Sequence, residues 1–307
     1  MGIGLDLTRS HSPGATAAHL LTQMGLRLPL DRPSPSEEEL APWTRSLHGG
    51  WVTSGPLDGV AFPAIDADIH SAYSAVASLV GCWSYMTAEH FVVNDVTKDF
   101  RRFLGAPNLM HRMYSKATWR RWGYTRVVLR ARGEQIPKEV VENGVTRLRI
   151  SPTWEEAADA VWLDAVGATL LADHPVEVLE GTRLAPRGHQ RGLRPVSVPG
   201  GRLLPEEDAA VTLVRLRRQA SAAGELRRAA LLRVLGSAMV YGNAARFDPD
   251  GDGERPGPWC FPPQAATVAS GARCLLAMVE RQVRERESVV AARDTDGLLL
   301  VASPRPV

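Results

Sequence analysis

The stretch ARDTDGLLLVAS (292–303) sets two carboxylates, Asp294 and Asp296, one residue apart and follows them with Leu298, Leu299, Leu300 and Val301. Carboxylates beside a packed strand are costly unless something compensates them. Asp-Gly favours a tight hairpin turn, because glycine takes positive φ freely. SVVAA (288–292) and GLLLVA (297–302) therefore read as two strands around RDTD. Two readings of the tip stay open here: a plain turn, or a site for a divalent metal.

Outward from that hairpin, the chain has 307 residues, 44% apolar and 23% charged, enough for one large domain or two smaller ones. A net charge of +2 is too small to argue for nucleic acid by itself. Only Lys98, Lys116 and Lys138 are lysines, so nearly all positive charge is arginine, whose planar fork suits phosphate. Cys82, Cys260 and Cys274 lie far apart with no CxxC spacing, which argues against a disulfide framework and structural zinc. The expected setting is reducing and cytoplasmic. MGIGLDLTRS lacks an apolar signal core, and no run approaches the ~20 apolar residues of a membrane span.

SPGATAAHLLTQMGL (12–26) reads as a helix with Ser12 as cap, Pro13 in the first turn and Gly25 at the end. LHGG (47–50) reads as a glycine turn without a side chain to act. VAFPAIDADI (60–69) is an apolar strand ending in carboxylates, and AYSAVASLVGCW is helical. YTRVVLRAR and VTRLRI, within 124–150, are strands. SPTWEEAADAVWLDAVGATLLA (151–172) reads as a helix, and 183–203 as a loop with short strands. PEEDAAVTLVRLRRQA (205–220) orders its acids before its arginines, as the helix dipole prefers. With LRRAALLRVLGSAMVYG (226–242) it makes two helices joined by a turn short enough to force an antiparallel pair. FDPDGDGERPGPW is a loop, and residues 264–287 a helix.

Three constellations carry chemistry. Asp68 lies at a strand end facing a helix start at Ser71 to Tyr73, where free backbone N–H groups suit a phosphate; a simple helix cap fits the same residues, and Asp66 is a rival carboxylate. Arg233, Ser237 and Tyr241, spaced four apart, put a cation, a small residue and a ring on one helix stripe; a solvated arginine above a core tyrosine is the alternative. Arg215 and Arg218 share a face of the preceding helix and could converge on the same ligand. The DTD hairpin is the third. DPDGDG (248–253) begins like a calcium loop, but its twelfth position is Trp259 rather than an acid, so a polar loop is the reading.

Taken in order, these pieces resemble family B DNA polymerases. DIHSAYSA (68–75) is similar to that family's DxxSLYPS motif. LLRVLGSAMVYG (231–242) is similar to its lysine-to-Tyr-Gly motif, and ARDTDG (292–297) to its YxDTDS motif. LHGG resembles the YxGG turn. The similarity covers roughly residues 40 to 304, and stretches such as YGNAARFDP also resemble polymerase-like proteins of high-GC bacteria.

The resemblance implies an α+β fold: a polymerase palm with an antiparallel sheet and a two-helix fingers hairpin. It implies an N-terminal region with the LHGG turn over 1–59, palm over 60–204 with an insertion, fingers over 205–242, and palm again over 243–307. An exonuclease and a thumb are expected to be absent, and a separate chain could supply them. Asp68, Asp294 and Asp296 would be the catalytic acids. Asp68, Asp296 and the Ile69 carbonyl would hold two Mg2+ ions. Ser71, Ala72 and Tyr73, with Arg233, Tyr241, Arg215 and Arg218, would bind the nucleotide. The implied partners are a DNA primer–template and a dNTP, with no membrane. Departures accompany the likeness: Arg233 replaces the lysine, Ser237 the asparagine, Ala292 and Gly297 the residues flanking DTD. A degenerate fold that binds nucleic acid without chemistry is therefore the alternative function.

Overall fold

The computed structural model describes residues 12–33, 35–50, 52–54, 62–131, 137–142, 145–150, 158–173, 175–250 and 253–301. Helix α1 (Pro13–Met24) forms as its signals dictate. The Ser12 hydroxyl accepts from the Ala15 N–H at 3.2 Å, and Gly25 closes the helix in the left-handed region at φ 90°. The polar connector that follows contains the short helix α2 (Glu37–Leu40), started by a reciprocal capping box between Ser36 and Glu39. LHGG leads to β1 (Val52–Ser54), and then come β2 (Ala64–Asp68), α3 (Ala72–Val80) and α4 (Cys82–Met86).

Next are β3 (His90–Asp95), three helices α5 (Thr97–Leu104), α6 (Leu109–Arg112) and α7 (Lys116–Trp122), and strands β4 (Thr125–Ala131), β5 (Pro137–Glu142), β6 (Val145–Ile150) and β7 (Ala158–Asp164). One turn of helix, α8 (Ala165–Ala168), precedes β8 (Val176–Arg187), β9 (Val196–Val198) and β10 (Gly201–Leu203). Helices α9 (Ala209–Ala222) and α10 (Leu226–Ser237) pack along each other, and a π turn (Ala238–Gly242) follows. The ribbon β11 (Phe247–Asp250) and β12 (Gly253–Pro256), the long α11 (Pro262–Glu285), and the hairpin β13 (Val290–Asp294) and β14 (Gly297–Val301) complete the described chain.

The protein is α+β. Every strand pairing is antiparallel. One four-stranded sheet runs β1-β13-β14-β2, so the quoted hairpin sits at its centre. A second runs β3-β8-β4-β7, with Phe100 of α5 and Trp122 of α7 clustered with its Leu129, Leu163 and Val178. Helix α11 is buried along most of its length and crosses α3, α8 and the strands of the first sheet. Its contact with α3 needs Gly271, because a Cβ there would drive into Val76.

The helix expected over 151–172 is corrected from residue 158 onward, while 151–157 lie outside the described residues. Ala158–Asp164 is a strand, with Val161 and Leu163 pointing into the second core and Trp162 to the other face. Pairing with β4 overrides the helical composition of the segment. Phe247–Asp250 and Gly253–Pro256, expected within a loop, pair as a two-stranded ribbon, and the loop expected from residue 183 begins as the last five residues of β8. Among the described residues no helix is long and apolar enough to cross a membrane.

Candidate functional site

Asp294 pairs with Gly297, and Gly297 pairs with Asp68 on its other side. Residues in one antiparallel row project to one face, so the two carboxylates share a face with a glycine between them. Asp294 and Asp68 are exposed, whereas Leu298 of the next row is 2% exposed against Leu276 and Val290. The apolar run thus serves the core side while the acids look away from it. Asp296 stands in the two-residue turn, and its carbonyl accepts the Ile69 N–H at 2.8 Å. Its carboxyl is pushed up from the usual range, first by burial, then by Asp68 and Asp294, with Arg233 opposing. The three acids therefore feel one another.

The tip is strained. Thr295 has φ 55°, a region that β-branched residues rarely adopt. Gly50 of LHGG lies against it, since a Cβ at Gly50 would come within 2.8 Å of the Thr295 side chain. The glycine turn is thus a seat for the DTD tip. His48 in the same turn is buried, and its ring nitrogen Nε2 lies 2.9 Å from the Trp162 carbonyl. Burial, then Arg273, lowers its pKa to about 4, so the ring is neutral and donates from Nε2.

At the start of α3, Ser71 is left-handed at φ 59° and caps nothing with its side chain. Its hydroxyl instead accepts from Arg217 of α9 at 2.5 Å. The Ala72 amide is taken by the Ile69 carbonyl at 3.1 Å. Among the described residues the Ser71 and Tyr73 amides have no backbone acceptor, which leaves two donors at the helix start. Arg218 and Arg217 both act on His70, beside Asp68. Arg215 has no hydrogen bond or ion pair among the described residues. Arg217, which spacing alone does not single out, hydrogen-bonds at the site, whereas Arg218 acts there through its charge.

Tyr73 and Tyr241 stack with ring centroids 4.7 Å apart and planes at 31°. Tyr241 lies in the π turn that follows Ser237. Burial, then Tyr241 and Asp296, pushes Tyr73 up to about 12. Beneath the pair lies Arg273 of α11, 5% exposed, donating to the Ser270 hydroxyl at 3.0 Å and reaching the Gly49 carbonyl at 3.5 Å. Burial lowers its pKa to about 10, and Asp164, Tyr241 and Tyr73 act against that. Asp164 is itself fully buried, caps α8 through the Val166 N–H at 2.9 Å, and accepts from the Thr267 hydroxyl at 2.5 Å. Burial raises it to about 7. Arg217, Arg273, His48 and Asp164 were not foreseen.

The site so assembled is an acidic row on an antiparallel sheet, two free amides, a ring pair, and Arg217 and Arg233 opposite. Hard carboxylate oxygens suit Mg2+. Among the described residues no three His, Cys, Asp or Glu side chains close on one point as a ready metal centre.

Solved structures of DNA polymerases share the fold that carries this arrangement. Phi29 DNA polymerase, in a ternary complex with primer–template DNA and incoming nucleotide substrates, aligns with TM-score 0.55 at 14% identity, over 99% of this chain and 50% of that one. The fold is polymerase-like. The same polymerase as a post-translocation binary complex with primer–template DNA gives 0.52 at 12% identity, and its orthorhombic crystal form gives 0.51 at 12%. The chain spans about half the length of the polymerase it matches. No protein-family model and no curated protein matches it.

Proposed function

We propose that this chain is the palm and fingers portion of a family B-like DNA polymerase, adding a dNTP to a primer 3′-hydroxyl. The row Asp294–Gly297–Asp68, with Asp296 at the adjoining turn, carries the reading. The polymerase-like fold supports it. In this reading the two sheets and α11 belong to the palm, and the α9–α10 pair is the fingers.

Asp68, Asp296 and the Ile69 carbonyl would hold two Mg2+ ions, with Asp294 adding negative charge beside them. When bound, the ions would supply an activated primer oxygen and charge neutralisation at the leaving pyrophosphate. The Ile69 carbonyl keeps a second lone pair beside its bond to Ala72. The mutual repulsion that raises Asp296 is what a bound dication would reverse. Arg233 and Arg217 supply fixed positive charge for a triphosphate, and the Ser71 and Tyr73 amides donate to its oxygens. Arg217 would exchange its Ser71 hydroxyl for a phosphate oxygen. Tyr73, braced by Tyr241 and Arg273, forms a wall against which a sugar packs and a 2′-hydroxyl collides.

A second reading, a non-catalytic DNA-binding relative, is favoured by the altered residues around the motifs, Arg233, Ser237, Ala292 and Gly297. Primer extension with Mg2+ separates the two. Incorporation that disappears in both Asp68→Ala and Asp296→Ala supports catalysis. Salt-sensitive DNA binding with no incorporation under any metal supports the second reading.

A further inference from the structure

The helices over the second sheet carry a charge that the rest of the chain does not. Residues 97–122 hold seven Lys and Arg against one acid, Asp99: a net +6 within a chain whose total is +2. All seven are exposed. The pattern follows from burial, because α5 turns Phe100 and Leu104 inward and α7 turns Trp119 and Trp122 inward. What remains outside is cationic. Arg102 meets Asp99 at 3.7 Å on the surface, a contact of small energy. Arg101 donates to the Val178 carbonyl. Among the described residues Lys98, Arg112, Lys116, Arg120 and Arg121 have no carboxylate within ion-pair distance.

Between α5, α6 and α7 runs a groove of about 380 Å³, floored by Phe103 and Trp122 and edged by Arg112, Arg121, Ser115 and Thr118. Among the described residues these four side chains have no hydrogen-bond acceptor, although Arg121 lies over the Trp122 ring at 5.2 Å; such donors complement a phosphodiester backbone. The layer sits at the far end of α3 from Asp68: Gly123 abuts Val80, and Arg120 lies beside Gly81. Helix α3 alone separates the two ends by about 13 Å.

We propose that this basic layer is a second nucleic-acid surface, which holds the backbone of duplex DNA outside the candidate site. The choice of DNA rests on the function proposed above; the phosphate chemistry does not. A duplex fits better than a single strand. Single-strand sites offer exposed rings for unpaired bases to stack on. Here Trp119 and Trp122 are buried, Phe103 is packed against Trp122, and the exposed Tyr114 is held by Gln282.

The test uses the full chain with Arg102→Ala, Arg112→Ala, Lys116→Ala and Arg121→Ala combined, and a labelled blunt DNA duplex followed by anisotropy over a salt series. Loss of four phosphate contacts lowers the slope of log K against log salt by about 3–4, and low-salt affinity by at least about tenfold. A charge-preserving counterpart, Arg102→Lys, Arg112→Lys, Lys116→Arg and Arg121→Lys, keeps both. An unchanged slope in the alanine variant overturns the proposal. So does equal loss in the charge-preserving variant, a larger loss on single-stranded than on duplex DNA, or capture of an acidic protein with duplex binding intact. Asp68→Ala leaves the slope unchanged whether or not it abolishes incorporation, so this surface and the catalytic reading fail separately.

Discussion

Ile69 donates its backbone N–H to the carbonyl of Asp296 at 2.8 Å, which pins the exit of β2 to the tip of the β13–β14 hairpin. Because a backbone bond makes this link, the acids can be neutralised without undoing the fold. Asp296→Asn removes a carboxylate whose ionisation is opposed by burial and by Asp68 and Asp294. Its raised folded pKa means that ionisation destabilises, with the penalty complete above that pKa and relieved as pH falls. The substitution is therefore expected to raise the melting temperature near neutral pH. Mg2+-dependent incorporation is expected to fall by about 10²–10³-fold or more. Thermal melts and single-turnover extension on the same preparation check both; a lowered melting temperature contradicts the repulsive cluster.

Arg217 is expected to act in nucleotide binding. Arg217→Ala removes a cation that faces Ser71 and lies within reach of Asp68 and Arg233. A charge-assisted bond contributes about 1.5–3 kcal/mol. The KM for dNTP should rise roughly 10–100-fold, while Arg215→Ala changes it little. Steady-state kinetics on both variants distinguish them, and equal effects would remove Arg217 from the site.

Much of this was legible in the sequence, for stated reasons. The hairpin and β2 announce themselves because acids adjoin an apolar run, and α1 because Ser12, Pro13 and Gly25 punctuate it. Segment 158–164 misled because Ala158, Ala160 and Leu163 suit a helix, and only the partner strand β4 makes a strand of it. The faces of α9 were not legible: its arginines occupy 215, 217 and 218, and which one meets Ser71 depends on how the helix docks. Arg273 left a visible trace, as a single cation inside the small and apolar run TVASGARCLLAM. Asp164 left none, since its burial arises from the turn between β7 and α8.

Asp164 and Arg273 predict a pH signature away from the acidic row. Asp164 titrates near 7 when folded against about 3.9 when unfolded. The folded state therefore holds the extra proton between those values. Stability falls as pH rises through that window, by at most roughly 1.4 kcal/mol per pH unit from this group. Asp164→Asn should flatten the slope between pH 4 and 7 in denaturant melts. Arg273→Met removes a cation that eases the ionisation of Asp164, so the slope should extend to higher pH. The double variant should lose the slope as Asp164→Asn does.

The contact between Gly50 and Thr295 gives a cleaner structural test, since neither side chain has a chemical role in the proposed reaction. A Cβ at residue 50 would meet Thr295 at 2.8 Å, too close without movement. Gly50→Ala should therefore cost about 1–3 kcal/mol by overpacking. Thr295→Gly removes both the obstructing side chain and the cost of φ 55° for a β-branched residue, worth about 1 kcal/mol or more. With the obstruction gone, Gly50→Ala on the Thr295→Gly background should cost little. A double-mutant cycle by urea unfolding then yields a coupling of at least about 1 kcal/mol. Additive effects would mean that LHGG does not seat the DTD tip.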